Sequence, residues 1–499
     1  PKGEEMEKIE SNKINNTMKL QHSLFLVPCS LFILVSCSVS KKISKQANAI
    51  LLNDTAISKG HIGISIYEPA TNTYWYNYNA DKYFIPASNT KLFTLYAGMK
   101  YLGDSLVGLR YFKPSGQFTT YVLPTGDPTL LHQDFKPQPV IDFLKKRDEI
   151  FFLKAKSEFN YLGNGWAWND YNDDYMVERS VFPMYGNVFS FSKRNQSLIS
   201  IPYFSLKNFT TLGFPINFNF KHSDSVKATI DAFDSGFFKR DQSSNKVTFI
   251  ETGRKFSSQQ IPIHIKDASE DIVRWIKDTI NSGRPQDEII GIAYSPEESY
   301  YFYNSKENQI ESIFNPIPEI KNVSLSVIHS QPSDSLFKPM MHRSDNFFAE
   351  QTLLMVSNEH LGYMSDEKII DTLLKTDLRD VPQKPKWVDG SGLSRYNLFT
   401  PQSFVYILNK TKNEFGWDRV KNILATGGTG TLTAYFKKDS GFIYAKTGTL
   451  SNNCALSGFL ITQKGKLLIF SVLTNNYPTG ATPVRKAVEK FLLGIRKNY

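Results

Sequence analysis

Residues 109 to 324 form a stretch rich in Phe, Tyr and Asn, with short alternating runs, that is far too long to be a loop. It interrupts two segments whose patterns belong together. Before it, HIGISIYEPATNTYWYNYNA (61–80) alternates apolar and polar residues around a Pro-Ala-Thr-Asn turn and reads as a β-hairpin; Pro86 then leads into a helix-like run from Leu92 to Leu102. After it, GFIYAKTGTL, CALSGFLITQ and KLLIFSVLTN read as three successive antiparallel strands, closed by an amphipathic helix over TPVRKAVEKFLLGIRKNY. Helices with an antiparallel sheet make the chain α+β, and the long stretch must fold by itself as one or two mostly β inserted domains. The expected outer unit is 49–108 plus 325–499, the insert 109–324, and a polar linker occupies 38–48. With 499 residues, 41% hydrophobic and 14% aromatic content, the chain can build two or three cored domains and is neither disordered nor fibrous.

The first 17 residues are polar and begin with Pro, which points to an upstream extension or a misplaced start, so they carry no fold reading. From Met18 a single Lys precedes an apolar stretch, Ser23 to Ser36, that Pro28 interrupts and that is too short for a membrane span. It reads as a secretion signal, so 1–37 is expected to be extension plus signal. Leu34-Val35-Ser36-Cys37 resembles the lipobox of bacterial lipoproteins, which implies removal of residues 1–36 and lipidation of Cys37. Those 36 residues hold four Lys and four Glu, so the net charge of +10 is unchanged. A basic chain favours anionic surroundings such as phospholipid headgroups or cell-wall polymer. With the charge spread out and no Cys/His finger spacing, nucleic acid is not indicated. Only Cys454 remains outside the signal and the lipid site, so no disulfide is expected. The eight His show no metal spacing, and no cofactor motif is present.

Three short motifs carry the chemistry. In PASNTKLFTLYAG (86–98), Ser88 and Lys91 stand three apart at the head of an apolar run; on a helix they share a face, so the amine reaches the hydroxyl. Ser-x-x-Lys also begins at Ser38, Ser190, Ser243, Ser335 and Ser365, so context decides. Ser344-Asp345-Asn346 opens an amphipathic helix, and Lys446-Thr447-Gly448-Thr449 lies on an apparent strand. A serine needs a base within hydrogen-bond reach. Lys91 serves only if burial and nearby positive charge, which Lys446 could supply, leave it substantially neutral. Lys446 and the Thr447 and Thr449 hydroxyls make a cationic, donor-rich end suited to a carboxylate. Gly448 keeps a side chain out of the substrate's way. Trp166 and Trp168 read as core residues on their hydrophobic payload ahead of sugar-stacking ones, and Asp345 stands either for a solvated helix cap or for a functional residue.

In this order the motifs resemble those of the penicillin-recognising serine enzymes, and more narrowly the D-alanyl-D-alanine carboxypeptidase/endopeptidase branch, low-molecular-mass penicillin-binding proteins with a large insertion. The interval of 256 residues from Ser88 to Ser344 fits that insertion, and that of 102 from Ser344 to Lys446 the later spacing. GDPTLLHQDF (126–135), NGWAWNDY (164–171), SDNFFAE (344–350), DGSGLSRYNLFTP (389–401) and GTGTL (428–432) extend the likeness from about residue 50 to the C-terminus. The chain departs at Tyr435, where the family usually has Arg, and in its LATGGTG lead-in, both at the lip of the site.

The resemblance implies a β-lactamase/transpeptidase-like domain, an antiparallel sheet flanked by helices. It implies Ser88 as nucleophile, the Ser88 and Thr449 amides as oxyanion hole, Ser344 as relay of a proton to the leaving amine, and Asn346 as guide for the acyl chain. Arg395 stands either for a substrate contact or for a structural ion pair. The implied partners are peptidoglycan stem peptides, β-lactam antibiotics, a membrane reached through Cys37, and a second copy of the chain in a homodimer. The implied location is periplasmic, on the outer membrane. A serine β-lactamase and a non-catalytic wall-binding lipoprotein are the competing readings; the insert argues against the first and the intact motifs against the second.

Overall fold

The computed structural model describes residues 39–194, 197–202, 209–211, 228–229, 235–267, 269–294, 300–304, 309–313 and 323–499. The expected signal and Cys37 lie outside them. A six-stranded sheet runs β17-β18-β19-β20-β1-β2, from β1 (His61–Glu68), β2 (Thr73–Tyr78), β17 (Ala425–Thr426), β18 (Ile443–Leu450), β19 (Asn453–Ile461) and β20 (Leu467–Asn475). All neighbours pair antiparallel, and β1 joins the N-terminal hairpin to the C-terminal strands with Ile64 opposite Val472.

Alternation along these strands feeds two cores. Ile62, Ile64 and Ile66 of β1, with Leu468, Phe470 and Val472 of β20, pack under the C-terminal helix α10 (Ala481–Asn498) against Val484, Val488, Phe491 and Ile495. Phe459, Ile469 and Leu473 face the other way, onto α2 (Lys91–Tyr101), α5 (Ser333–His342), α6 (Asn346–Leu361), α7 (Asp366–Lys375), α8 (Pro401–Phe415) and α9 (Trp417–Ile423). Each such side chain contributes roughly 1.5–3 kcal/mol on burial. Both faces of the sheet are therefore covered.

Two boundaries differ from expectation. Residues 39–47, expected as linker, form a helix, α1. Val39, Ile43, Ala47 and Leu51 recur every four residues and pack with α10, and Gln46 Nε2 donates to the Phe491 carbonyl at 2.9 Å. Strand β3 (Ser105–Phe112) crosses the expected edge at 108 and pairs antiparallel with β16 (Ser326–Pro332), so the two strands that open and close the insert reach beyond 109–324.

They belong to a five-stranded sheet, β13-β5-β4-β3-β16, with β4 (Thr119–Pro124), β5 (Glu149–Phe152) and β13 (Gly291–Tyr294). Its β4–β5 and β5–β13 pairs are parallel, which requires crossovers. Helices α3 (Pro139–Leu144) and α4 (Ser269–Asn281) lie on those connections, the helical content that the β reading left out. A four-stranded sheet orders β12 (Ser258–Pro262), β6 (Val188–Arg194), β7 (Ser197–Ile201) and β9 (Ala228–Thr229). A three-stranded sheet orders β10 (Ser235–Arg240), β11 (Val247–Lys255) and β8 (Phe209–Thr211), and β14 (Tyr300–Asn304) pairs with β15 (Gln309–Ile313). Phe189, Phe191, Phe238, Phe249, Trp275 and Ile276 build the insert's own core.

Candidate active site

A single 3-10 turn, Ala87–Thr90, hands the chain from Pro86 to α2, so Ser88 sits half-buried just before the helix rather than within it. Ala87 holds φ +47°, a left-handed conformation uncommon for a residue with a Cβ, of the kind that clusters at functional sites. One turn on, Lys91 is fully buried. Its Nζ donates to Ser88 Oγ at 3.1 Å, to Asn346 Oδ1 at 2.6 Å and to the Ser391 carbonyl at 2.7 Å, three acceptors for an ammonium's three protons. Burial pulls the Lys91 pKa down to about 8, against the opposing pull of Asp389, Glu350 and Asp345. The amine is thus partly neutral near neutrality while touching the serine hydroxyl.

Strand β18 runs beside this turn. A Cβ on Gly448 would lie 2.6 Å from the Pro86 carbonyl and 3.0 Å from the Ser88 amide nitrogen, so a side chain there would strike the Ser88 turn before it obstructed a substrate. The Asn89 amide ties turn to sheet: its oxygen accepts from Ser457 Oγ at 2.7 Å and its nitrogen donates to the Lys446 carbonyl at 2.8 Å. Lys446, fully buried, donates to Ser344 Oγ and to the Thr447 carbonyl, both at 2.7 Å. Burial, then Lys91, then Arg485 push its pKa well below the usual lysine range. The expected division between the amines is therefore altered: burial, not a charged Lys446, lowers Lys91, and Lys446 is itself lowered by Lys91.

Ser344 also has a left-handed backbone, φ +63°, and leads into α6. Asp345 is the N-cap of that helix, accepting from the Phe348 amide at 3.0 Å. Asn346 links the two units: its Oδ1 receives Lys91, and its Nδ2 donates to the Tyr175 carbonyl of the insert at 2.8 Å.

Beneath the amine lies a network that the sequence reading did not anticipate. Glu350, one turn after Asn346 on α6, is buried; its Oε1 accepts from the Ser391 amide at 2.7 Å and its Oε2 lies 3.3 Å from Arg179 Nη1. Burial and Asp389 raise the Glu350 carboxyl to about 7 although Arg179 opposes them. Arg179, from the insert, also pairs with Asp366 at 2.5 Å. Asp389 accepts from Gly392 N at 2.8 Å, Asn397 Nδ2 at 2.7 Å, Ser394 N at 2.7 Å and Trp166 Nε1 at 2.9 Å. Gly392, at φ +84°, passes so close to Ala87 that a Cβ would overlap its carbonyl, which seats the Asp389 turn under the Ser88 turn. The glycines around Ser391 thus serve close packing that presents the Ser391 carbonyl to Lys91.

The structure brings Ser88, Lys91, Ser344, Asn346, Lys446 and Gly448 into one cleft, with Thr447 and Thr449 on its β18 edge. Arg395 is exposed at its mouth, donating to the Ser451 carbonyl at 3.4 Å; among the described residues it forms no ion pair. Trp168 corrects the core reading, being 71% exposed, while Trp166 is partly buried and bound to Asp389. A signal for Glu350 existed in its i+4 spacing from Asn346; Arg179 had none nearby. Among the described residues no group of three or more His, Cys, Asp or Glu is placed to hold a metal ion. The arrangement holds a hydroxyl beside a partly neutral amine, with a second hydroxyl–amine pair across the cleft, a pattern fit for acyl transfer.

The D-Ala-D-Ala carboxypeptidase 3 (S13) family matches residues 43–231 and 311–497. Carboxypeptidase DacB of Mycolicibacterium smegmatis is 32% identical over 175 residues, which span 32% of this chain and 38% of that protein. Penicillin-sensitive carboxypeptidase A of Dictyostelium discoideum is 23% identical over 87% of this chain and 86% of its own length. Among solved structures, penicillin binding protein 4 (dacB) from Haemophilus influenzae superposes with a TM-score of 0.62 at 18% identity, over 91% of this chain and 99% of that one, which shows a shared fold.

Proposed function

The chain belongs to the D-Ala-D-Ala carboxypeptidase 3 (S13) family, and on that premise we propose that it is a serine D-Ala-D-Ala carboxypeptidase that also cleaves cross-links as a DD-endopeptidase. The observation that carries this reading is the Lys91 ammonium shared between Ser88 Oγ, Asn346 Oδ1 and the Ser391 carbonyl, with Lys446 on Ser344 opposite.

The chemistry follows from these contacts. In its neutral form Lys91 takes the Ser88 proton as the hydroxyl attacks the carbonyl of the penultimate D-Ala. General-base help of this kind contributes roughly 10² to 10⁴ in rate. The oxyanion meets the Ser88 and Thr449 amides, each such donor worth roughly 3 kcal/mol in the transition state. Lys91 then passes that proton on through Ser344, which Lys446 holds, to the leaving amine. Neutral again, it takes a proton from the water that releases the acyl-Ser88 ester and returns it to Ser88 Oγ. A β-lactam enters by the same path, because its strained amide presents the same carbonyl, and leaves a slowly hydrolysed ester.

Peptidoglycan stem peptides are the substrate, and the lipobox-like Leu34–Cys37 segment supports a mature chain lipidated at Cys37, anchored to the outer membrane and facing the periplasm. The test is to incubate wild type and Ser88→Ala with pentapeptide and with cross-linked muropeptides and to follow products by mass spectrometry. Loss of a terminal alanine or splitting of dimers by wild type alone is expected. Steady turnover of nitrocefin with no peptide product would replace the peptidase by a β-lactamase.

A further inference from the structure

One edge of β18 carries charge that the acyl-transfer steps leave unused. Along this strand Ala445, Thr447 and Thr449 alternate with Lys446 and Gly448, so the threonines share the face toward α10. Thr449 is exposed and Thr447 half-buried. Arg485, in the second turn of α10, reaches this edge: its Nη2 donates to Thr449 Oγ1, and its guanidinium carbon lies 5.9 Å from the Tyr435 ring centroid. Thr447, Tyr435, Cys454 and Arg485 help line a cavity of about 20 Å³, room for about one water.

No carboxylate balances this guanidinium among the described residues; Glu489, one turn further along α10, is turned to the Phe436 amide. Lys446, the other cation here, is turned to Ser344 and the Thr447 carbonyl, and its pKa is pushed well down. A guanidinium stays protonated throughout the working range. On the face of β18 that carries Thr447 and Thr449, the positive charge is therefore that of Arg485. Its donation to Thr449 Oγ1 also fills an acceptor position, leaving the hydroxyl proton free to point away from Arg485.

We propose that Arg485 is the specificity-determining residue for a free terminal carboxylate: it supplies charge to the β18 edge and orients the Thr449 hydroxyl so that both meet the substrate's terminal anion. This rests on the peptidase reading and extends it to the group that distinguishes a terminal D-Ala from a blocked or internal one. An uncharged terminus gains nothing from Arg485, so the residue sets discrimination rather than the rate of bond cleavage.

The experiment compares wild type, Arg485→Gln and Arg485→Lys on an acyl-D-Ala-D-Ala peptide and on its C-terminal carboxamide, with thermal melts to verify folding. Arg485→Gln is expected to raise KM for the free acid on the order of tenfold to hundredfold, the range of a lost charge-assisted hydrogen bond, with kcat little changed. The carboxamide should be cleaved as by wild type, and Arg485→Lys should recover part of the preference. An unchanged acid-to-amide ratio, or equal losses on both substrates, would overturn the proposal. If wild type cleaves neither peptide, the peptidase reading fails. Acylation of Ser88 by benzylpenicillin against its methyl ester then decides on Arg485: a selective loss with the free acid in Arg485→Gln upholds the role, and equal loss or no selectivity removes it.

Discussion

Gly448 and Ser88 approach so closely that a Cβ on the glycine would stand 3.0 Å from the serine amide nitrogen. Strand and turn are thereby held at one separation, with no room between them for a side chain. Gly448→Ala should force them apart and lower the rate of penicillin acylation of Ser88 by roughly 10² to 10³, the cost of losing an oxyanion donor. Labelling followed by intact-mass spectrometry reads this directly. An undiminished rate would mean that the turn yields without disturbing the donors.

The buried amine and acid make both activity and stability depend on pH. If Lys91 is the base, only its neutral form acts, and with burial pulling its pKa down to about 8, acylation should rise with pH up to about 8 and level off above it. Its folded pKa lies below the unfolded value of about 10.4, so between the two the unfolded chain holds a proton the folded one has lost, and stability rises with pH across that window. Glu350 behaves oppositely: it is raised to about 7 from about 4.3, so the folded chain holds the extra proton between those values and stability falls as pH rises through them. The Glu350 fall and the Lys91 rise leave a minimum between about pH 7 and 8, and Lys446, whose pKa is also lowered, adds a rise of the same sign as that of Lys91. Urea midpoints across pH 4 to 10 should trace it, and Glu350→Gln should flatten the acid limb.

Asp389 accepts five hydrogen bonds, two on Oδ1 from Gly392 N and Asn397 Nδ2 and three on Oδ2 from Ser394 N, Trp166 Nε1 and Ser391 Oγ. An asparagine keeps one oxygen and turns an NH2 toward the donors that faced the other. Asp389→Asn should therefore cost about 1–3 kcal/mol for each donor left facing it, measured by urea unfolding. The Ser391 carbonyl should shift with the turn, lowering kcat as well.

Ser344 Oγ lies 2.7 Å from Lys446 Nζ. If this pair protonates the leaving group, Ser344→Ala should matter most where that group is a basic amine. Hydrolysis of an acyl-D-Ala-D-Ala amide should fall by roughly 10² to 10⁴, the worth of positioned acid–base help, and hydrolysis of the matching D-lactate ester by clearly less. Equal losses on amide and ester would assign Ser344 to binding.

What the sequence displayed depended on the range of the interaction. The C-terminal strands and α10 were legible because their alternation and their 3.6-residue stripe are local patterns, and the three motifs because their order and spacing are specific. Helix α1 was also written locally, in Val39, Ile43, Ala47 and Leu51, but its polar neighbours gave it the composition of a linker. The closing of β3 on β16 was not legible, since strand pairing across more than two hundred residues leaves no trace in either segment. Trp168 misled because size argues for burial only where a neighbour exists to cover it. The charged network under Lys91 was hidden differently: Asp389 stood in a turn that its glycines explained, and Arg179, the counterion of Glu350, lies outside the three motifs.

Arg179 belongs to the insert, yet its guanidinium is shared by Glu350 and Asp366 of the outer unit, and it is 1% exposed. Breaking a buried pair by removing one partner typically costs about 3–5 kcal/mol. A chain trimmed to its catalytic half would lose the counterion of the acid that steadies the Ser391 amide. Insert and outer unit are thus electrostatically one body: a calorimetric scan of the whole chain should show a single endotherm, and an insert exchanged from a distant relative would have to bring a guanidinium to the same spot.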